Sequence, residues 1–123
     1  MARLYGQNPP EELFYEYFQR VDALLWQQAS SVLRVGGDVI LDSGFWSRES
    51  RDVARDRVLA GGAIPKFYSI LCSEDVMRAR TIERSENPPS DSLWINEAAF
   101  DKLKAGYEPM STDEDYVGID GTK

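Results

Sequence analysis

Histidine is absent from the 123 residues, and cysteine occurs once. The first absence removes Ser-His triads, Cys-His dyads, histidine zinc ligands and histidine general bases. A single thiol, Cys72, excludes an internal disulfide and a cysteine-built zinc site. It stands at the end of an apolar run and reads as a small packed hydrophobe. No apolar run approaches the roughly 18 residues that a membrane span requires. The opening Met1-Ala2-Arg3-Leu4-Tyr5-Gly6 lacks the apolar stretch of a signal peptide. The expected setting is therefore cytoplasmic, with no membrane contact. Positive charge is also scarce: the net charge is -7. That disfavours a general nucleic-acid binder, which needs a basic surface for phosphates. Chemistry, if the chain performs any, falls to carboxylates, arginines, hydroxyls or a hard metal ion.

What is present describes an ordinary soluble domain. The length predicts one domain over residues 1–123, and 42% hydrophobic with 28% charged residues is typical of globular chains. Residues 1–8 read as a loop. Asn8-Pro9-Pro10-Glu11-Glu12 supplies a cap, first-turn prolines and acids at the positive end of a helix. Phe14, Tyr17, Phe18, Val21, Leu25, Val32 and Leu33 follow helical spacing and predict a core-facing stripe. Gly36-Gly37 ends that helix. Val39-Ile40-Leu41 is a continuous apolar run, the pattern of a parallel strand buried on both faces. Ser47 caps a helix through about Ala60, which Gly61-Gly62 stops. Phe67-Tyr68-Ser69-Ile70-Leu71 is a second strand, so a βαβ unit with a right-handed crossover is expected. Ser73 caps a helix to about Glu86, broken by Asn87-Pro88-Pro89-Ser90. Asn96 caps another through about Leu103. Residues 111–123 read as an acidic tail holding a short strand at Tyr116-Val117-Gly118-Ile119-Asp120.

Asp42 ends the first apolar run, where open α/β sheets gather ligands. A carboxylate at a strand tip is rigidly placed and can orient a hydrated metal beside phosphates. The competing reading is a turn cap before Gly44. Arg48, Arg51 and Arg55 share one helix face, interleaved with Glu49, Asp52 and Asp56. They read either as a solvated ion-pair face or, for Arg48 and Arg51 near the Asp42 edge, as anion ligands. Arg80 and Arg84 lie on one face of the later helix. With the Pro-Pro break they make residues 78–92 a candidate lid whose arginines close over a phosphoryl group; an exposed charged helix is the alternative. Trp46 and Trp94 fit a core or a stacking surface equally. Tyr107-Glu108-Pro109 reads as turn chemistry.

Taken in order, Val39-Ile40-Leu41-Asp42-Ser43-Gly44-Phe45-Trp46-Ser47-Arg48, Arg51-Asp52, Gly62-Ala63, Arg80-Thr81-Ile82-Glu83-Arg84, Pro88-Pro89, Tyr107-Glu108-Pro109 and Asp113-Glu114 resemble the zeta-toxin-like, AAA-type family of small P-loop kinases. That group is related to chloramphenicol phosphotransferase and to polynucleotide-kinase phosphotransfer domains. The resemblance implies an α/β, three-layer P-loop-kinase-like fold with parallel strands and flanking helices, and ATP with magnesium as cofactors. It implies transfer of phosphate to a small-molecule hydroxyl. Asp42 would be the catalytic carboxylate that holds magnesium indirectly. Arg80 and Arg84 would be catalytic lid residues on ATP phosphates, and Trp46, Arg48 and Arg51 would lie on the acceptor side. Where the family has asparagine after the second lid arginine, Ser85 stands here. The larger departure is the phosphate loop: no G-x-x-x-x-G-K-S/T occurs. The chain is therefore expected to represent the C-terminal portion of the fold, without the first strand, the P-loop and the second strand. ATP binding by it is expected to be impaired. A non-catalytic module derived from such a kinase is the alternative, self-associating through an exposed sheet edge.

Overall fold

The computed structural model describes residues 1–122. Lys123, the last residue of the expected acidic tail, lies outside the described residues. The elements run α1 (Ala2–Tyr5), α2 (Glu11–Arg34), α3 (Arg48–Ala60), β1 (Phe67–Leu71), α4 (Glu74–Glu86), α5 (Glu97–Ala105) and β2 (Tyr116–Asp120). β1 and β2 form a two-stranded parallel sheet in which Tyr68 faces Val117 and Ile70 faces Ile119. The chain is thus α/β, with helices flanking a parallel sheet.

Local chemistry explains the helix limits. α2 and α3 both end in Schellman geometry. The Gly37 N–H donates to the Val32 carbonyl and the Gly36 N–H to Leu33, while Ala63 and Gly62 donate in the same way to Val58 and Leu59. Gly36 (φ 82°) and Gly62 (φ 78°) occupy the left-handed position that this turn requires. Ser47 starts α3 with a reciprocal cap. Its hydroxyl accepts from the Ser50 N–H at 3.1 Å, and the Ser50 hydroxyl accepts from the Ser47 N–H at 3.3 Å. Replacing Ser47 by alanine is expected to lower stability by about 1 kcal/mol and by glycine only a few tenths, read from urea unfolding midpoints.

Three expectations are corrected. Residues 1–8 are not all loop: α1 forms, with Leu4 and Tyr5 donating to the Met1 carbonyl. Residues 39–42 are extended but form no strand. Val39, Leu41, Ser43 and Phe45 are half-buried while Ile40, Asp42 and Gly44 point to solvent, and Ile40 is 95% exposed. This is the period-two alternation of a strand covered on one face. A strand also needs a ladder, however, and no backbone–backbone hydrogen bond joins residues 38–44 to any described residue. Nor is the α2 stripe a closed core. The buried residues of α2 are Trp26 and Ala29, one turn apart and outside that stripe, whereas Phe18, Leu25 and Val32 within it remain exposed.

The buried apolar residues among those described are Ala2, Trp26, Ala29 and Ala54. The face of the sheet carrying Tyr68, Ile70, Val117 and Ile119 is open, with Ile70 63% exposed. No helix among the described residues is long and apolar enough to cross a membrane.

Candidate functional site

The densest arrangement of polar side chains lies at the start of α3, where it meets residues 107–114. Arg51 is 1% exposed. Its guanidinium has five N–H donors, and the surrounding chain accepts from all of them. Nε donates to Glu114 Oε1 at 2.7 Å and Nη2 to Glu114 Oε2 at 3.0 Å. Nη1 donates to the carbonyls of Phe45 at 3.0 Å and Glu108 at 2.9 Å, and Nη2 also reaches the Pro109 carbonyl at 3.3 Å. The paired fork onto Glu114 is the strong bidentate form of this contact. Phe45, one of the carbonyls held, has a positive φ of 42°, a backbone conformation that needs such external support.

Glu114 is the hub of the arrangement. Besides Arg51 it accepts from Arg55 Nη2 at 3.2 Å and from the Ser111 N–H at 2.8 Å. The Arg51 hydrogen bond, aided by the Ser111 amide and Arg55, holds its carboxyl down at about 2, against the opposing pull of burial. Arg55 continues the network to Asp52 at 3.0 Å and lies over the Phe67 ring at 4.4 Å.

Arg48 sits at the rim. Its N–H donates to Glu108 Oε2 at 2.8 Å, placing a carboxylate at the positive end of α3. Its side chain holds Asp52 at 2.9 Å and Asp113 at 2.9 Å. Hydrogen bonds to Asp113 and Asp52 raise its pKa further above the ordinary arginine value. The Trp46 carbonyl accepts from the Glu108 N–H at 2.7 Å, and its ring meets Tyr107 edge-on at 5.9 Å.

Trp46, Arg48 and Arg51 are therefore gathered at one end of α3. Asp42, Arg80 and Arg84 make no hydrogen bond or ion pair with that cluster. Asp42 is exposed on the unpaired segment 38–44. Arg80 donates to the carbonyls of Gly121 and Thr122, the latter at 2.9 Å, and so binds α4 to the end of β2. Arg84 is exposed and has no polar partner among the described residues. Ser85 donates to the Ile95 carbonyl at 2.6 Å and accepts from the Ile95 N–H. Gln7 donates to the carbonyls of Pro89 and Ser92. The loop between α4 and α5 is thus fastened to Ser85 and Gln7, to which Trp94 also donates, and Arg3 pairs with Asp91. Sequence reasoning missed Glu108 and Glu114 as partners, since a turn and an acidic tail carry no local mark of a buried ion pair.

The residues present do not by themselves make a site for magnesium and ATP. No three Cys, Asp or Glu side chains among the described residues come together in a group that could hold a metal ion. The glycines in the left-handed conformation at 36 and 62 end helices rather than opening one, so they offer no anion-binding helix start. Arg51 has no donor left for a ligand.

The model of a family described as AAA domain matches residues 1–110. The chain belongs to that family. With the parallel sheet and flanking helices, this makes the domain an α/β, incomplete P-loop-kinase-like fold of kinase or ATPase origin; family members generally bind nucleotide with magnesium. No curated protein and no solved structure matches the chain.

Proposed function

We propose that this AAA-domain chain is the acceptor-side and lid portion of an ATP-dependent phosphotransferase of the zeta-toxin or chloramphenicol-phosphotransferase type. Its reaction moves the terminal phosphoryl group of ATP to a small-molecule hydroxyl. The observation that carries the reading is the family match over residues 1–110. The proposed roles are Asp42 as the carboxylate near magnesium, Arg80 and Arg84 as lid cations on ATP phosphates, and Trp46 with Arg48 as the acceptor wall. Arg51, proposed from the sequence as an acceptor ligand, supports that wall by holding Phe45 and residues 108–114. ATP would supply the phosphoryl group and leave as ADP, the acceptor hydroxyl losing its proton to solvent, while magnesium would partly neutralise the phosphate charge. A cytoplasmic setting belongs to the same reading, because ATP is the co-substrate.

The 123-residue chain alone lacks G-x-x-x-x-G-K-S/T, whose backbone amides and lysine supply most of the phosphate contacts. Calorimetric titration with magnesium-ATP is expected to give a Kd weaker than about 1 mM. A fusion that places a strand, that loop and a helix before Met1 is expected to bind it at least about tenfold more tightly. Tight binding by the unfused chain would contradict the impaired reading. A well-folded fusion that gains no affinity would contradict the kinase reading.

The open edge of β1 supports a second reading, a non-catalytic module that joins another chain or a second copy of itself. Under that reading the fusion gains no ATP affinity and Arg80→Ala with Arg84→Ala leaves partner binding unchanged.

A further inference from the structure

The acceptor wall proposed above has a flat apolar part and a charged part, and the two together restrict its ligand. The flat part is the Trp46 indole. A side chain at Gly44 would place its Cβ 1.8 Å from the indole Nε1, so the ring lies directly against the Gly44 backbone, in space that only glycine leaves free. Tyr107 meets the same ring edge-on at 5.9 Å. Held in this way, Trp46 is still 37% exposed. A fixed, partly open aromatic face is a stacking surface for another ring.

The charged part is matched from within. The donors of Arg51 all go to the protein. Arg48 lies between Asp52 and Asp113, with the Glu108 carboxylate on its N–H, and Arg55 divides its guanidinium between Asp52 and Glu114. Four carboxylates therefore share three guanidiniums in one network, and the side chains of Asp52 and Asp113 are 47% and 67% exposed. A phosphate or carboxylate brought to Trp46 meets an excess of negative charge, not an arginine fork left open for it.

We infer that the acceptor is a ring-bearing alcohol without negative charge, stacked on Trp46, and that the wall discriminates against sugar phosphates and hydroxy acids. The meaning of the wall rests on the phosphotransfer reading, but its charge preference is measurable without nucleotide.

The probes are three benzyl alcohols that differ at the para position: a neutral carboxamide, a cationic aminomethyl group and an anionic carboxylate. Each is titrated into the full chain while the indole N–H signals are followed by NMR, with Trp46→Phe assigning the signal of Trp46. At about 20 mM salt, where charge is little screened, the neutral and cationic alcohols are expected to shift Trp46 saturably and the anionic one to bind at least about threefold more weakly. At about 500 mM salt the gap should close. Asp113→Asn, which removes one of the exposed carboxylates, should narrow the gap at low salt. Equal or tighter binding of the carboxylate, a gap that neither salt nor Asp113→Asn changes, or no saturable response at Trp46 from any of the three would overturn the inference. None of these results bears on the affinity of the fusion for magnesium-ATP, so this inference and the phosphotransfer reading fail in different experiments.

Discussion

Replacing Arg51 by methionine is expected to destabilise the domain by about 3–5 kcal/mol, the usual result of removing one partner of a buried ion pair. A domain of this size has only about 5–15 kcal/mol in total, so the loss is a large fraction of the whole. The cause is what stays behind. Glu114 loses its bidentate partner while its side chain remains covered. The carbonyls of Phe45, Glu108 and Pro109 lose the donors that hold them, and an unsatisfied buried polar group costs about 1–3 kcal/mol. Arg51→Lys keeps the charge but not the fork, and should recover only part of the loss. Combining Arg51→Met with Glu114→Met removes the stranded charge and should recover more than Arg51→Lys does. Urea unfolding of the four proteins checks this order. An Arg51→Met protein within about 1 kcal/mol of the parent would show that the clasp is replaceable by packing.

That clasp also marks where sequence reading stops. Several helix limits were legible because each depends on residues a few positions apart, although α2 starts after Pro10 with no side-chain cap where Asn8 was expected to supply one. Ser73 and Asn96 cap their helices through the N–H groups of Val76 and Ala99, and the glycine pairs stop α2 and α3. β1 was legible from its apolar run between turn signals. Arg51 and Glu114 are 63 positions apart. Nothing in either neighbourhood announces the other. Arg48, Arg51 and Arg55 share a helix face and look equivalent in sequence, yet one is covered and the others sit at a rim. Packing of residues 107–114 against α3 makes that difference.

The extended segment at residues 39–42 shows the opposite failure. Its continuous apolar run was read as a strand buried on both faces, whereas the structure leaves it unpaired, with half-buried and exposed side chains alternating. Propensity alone does not build a ladder, because β-structure is a property of paired segments. The same reasoning covers the exposed side of β1. Tyr68 and Ile70 belong to a run that reads as a strand, but no described helix covers the face that carries them. Asp42 shares the fate of its segment: a strand-tip position was inferred from a strand that has no neighbour here. Its proposed role near magnesium therefore depends on a structure that supplies one.

Acid should unfold this domain by a route that Glu114 dominates. Its carboxyl ionises near 4.5 when free and at about 2 in the fold, mainly through Arg51. A depressed carboxylate pKa means that the unfolded state binds the proton first as pH falls. Its stabilisation is thus complete above about 4.5, declines below that, and is gone once pH passes below about 2. One such group contributes a slope of at most about 1.4 kcal/mol per pH unit inside that window. Glu11, Glu74, Asp113 and Asp120 are shifted in the same direction, so the parent curve alone does not isolate Glu114. Glu114→Gln does, because it keeps the shape of the protonated side chain and cannot ionise. At pH 7 the variant is expected to be clearly less stable than the parent. The two stability curves should converge as pH falls from about 4.5 toward 2. Parallel curves across that range would show that the Arg51–Glu114 contact contributes no proton-linked stability. Arg51→Met removes the largest cause of that shift. Ionised Glu114 then keeps only Arg55 and the Ser111 amide against burial, so the stability that the parent gains as pH rises from about 2 to 4.5 should shrink in that variant.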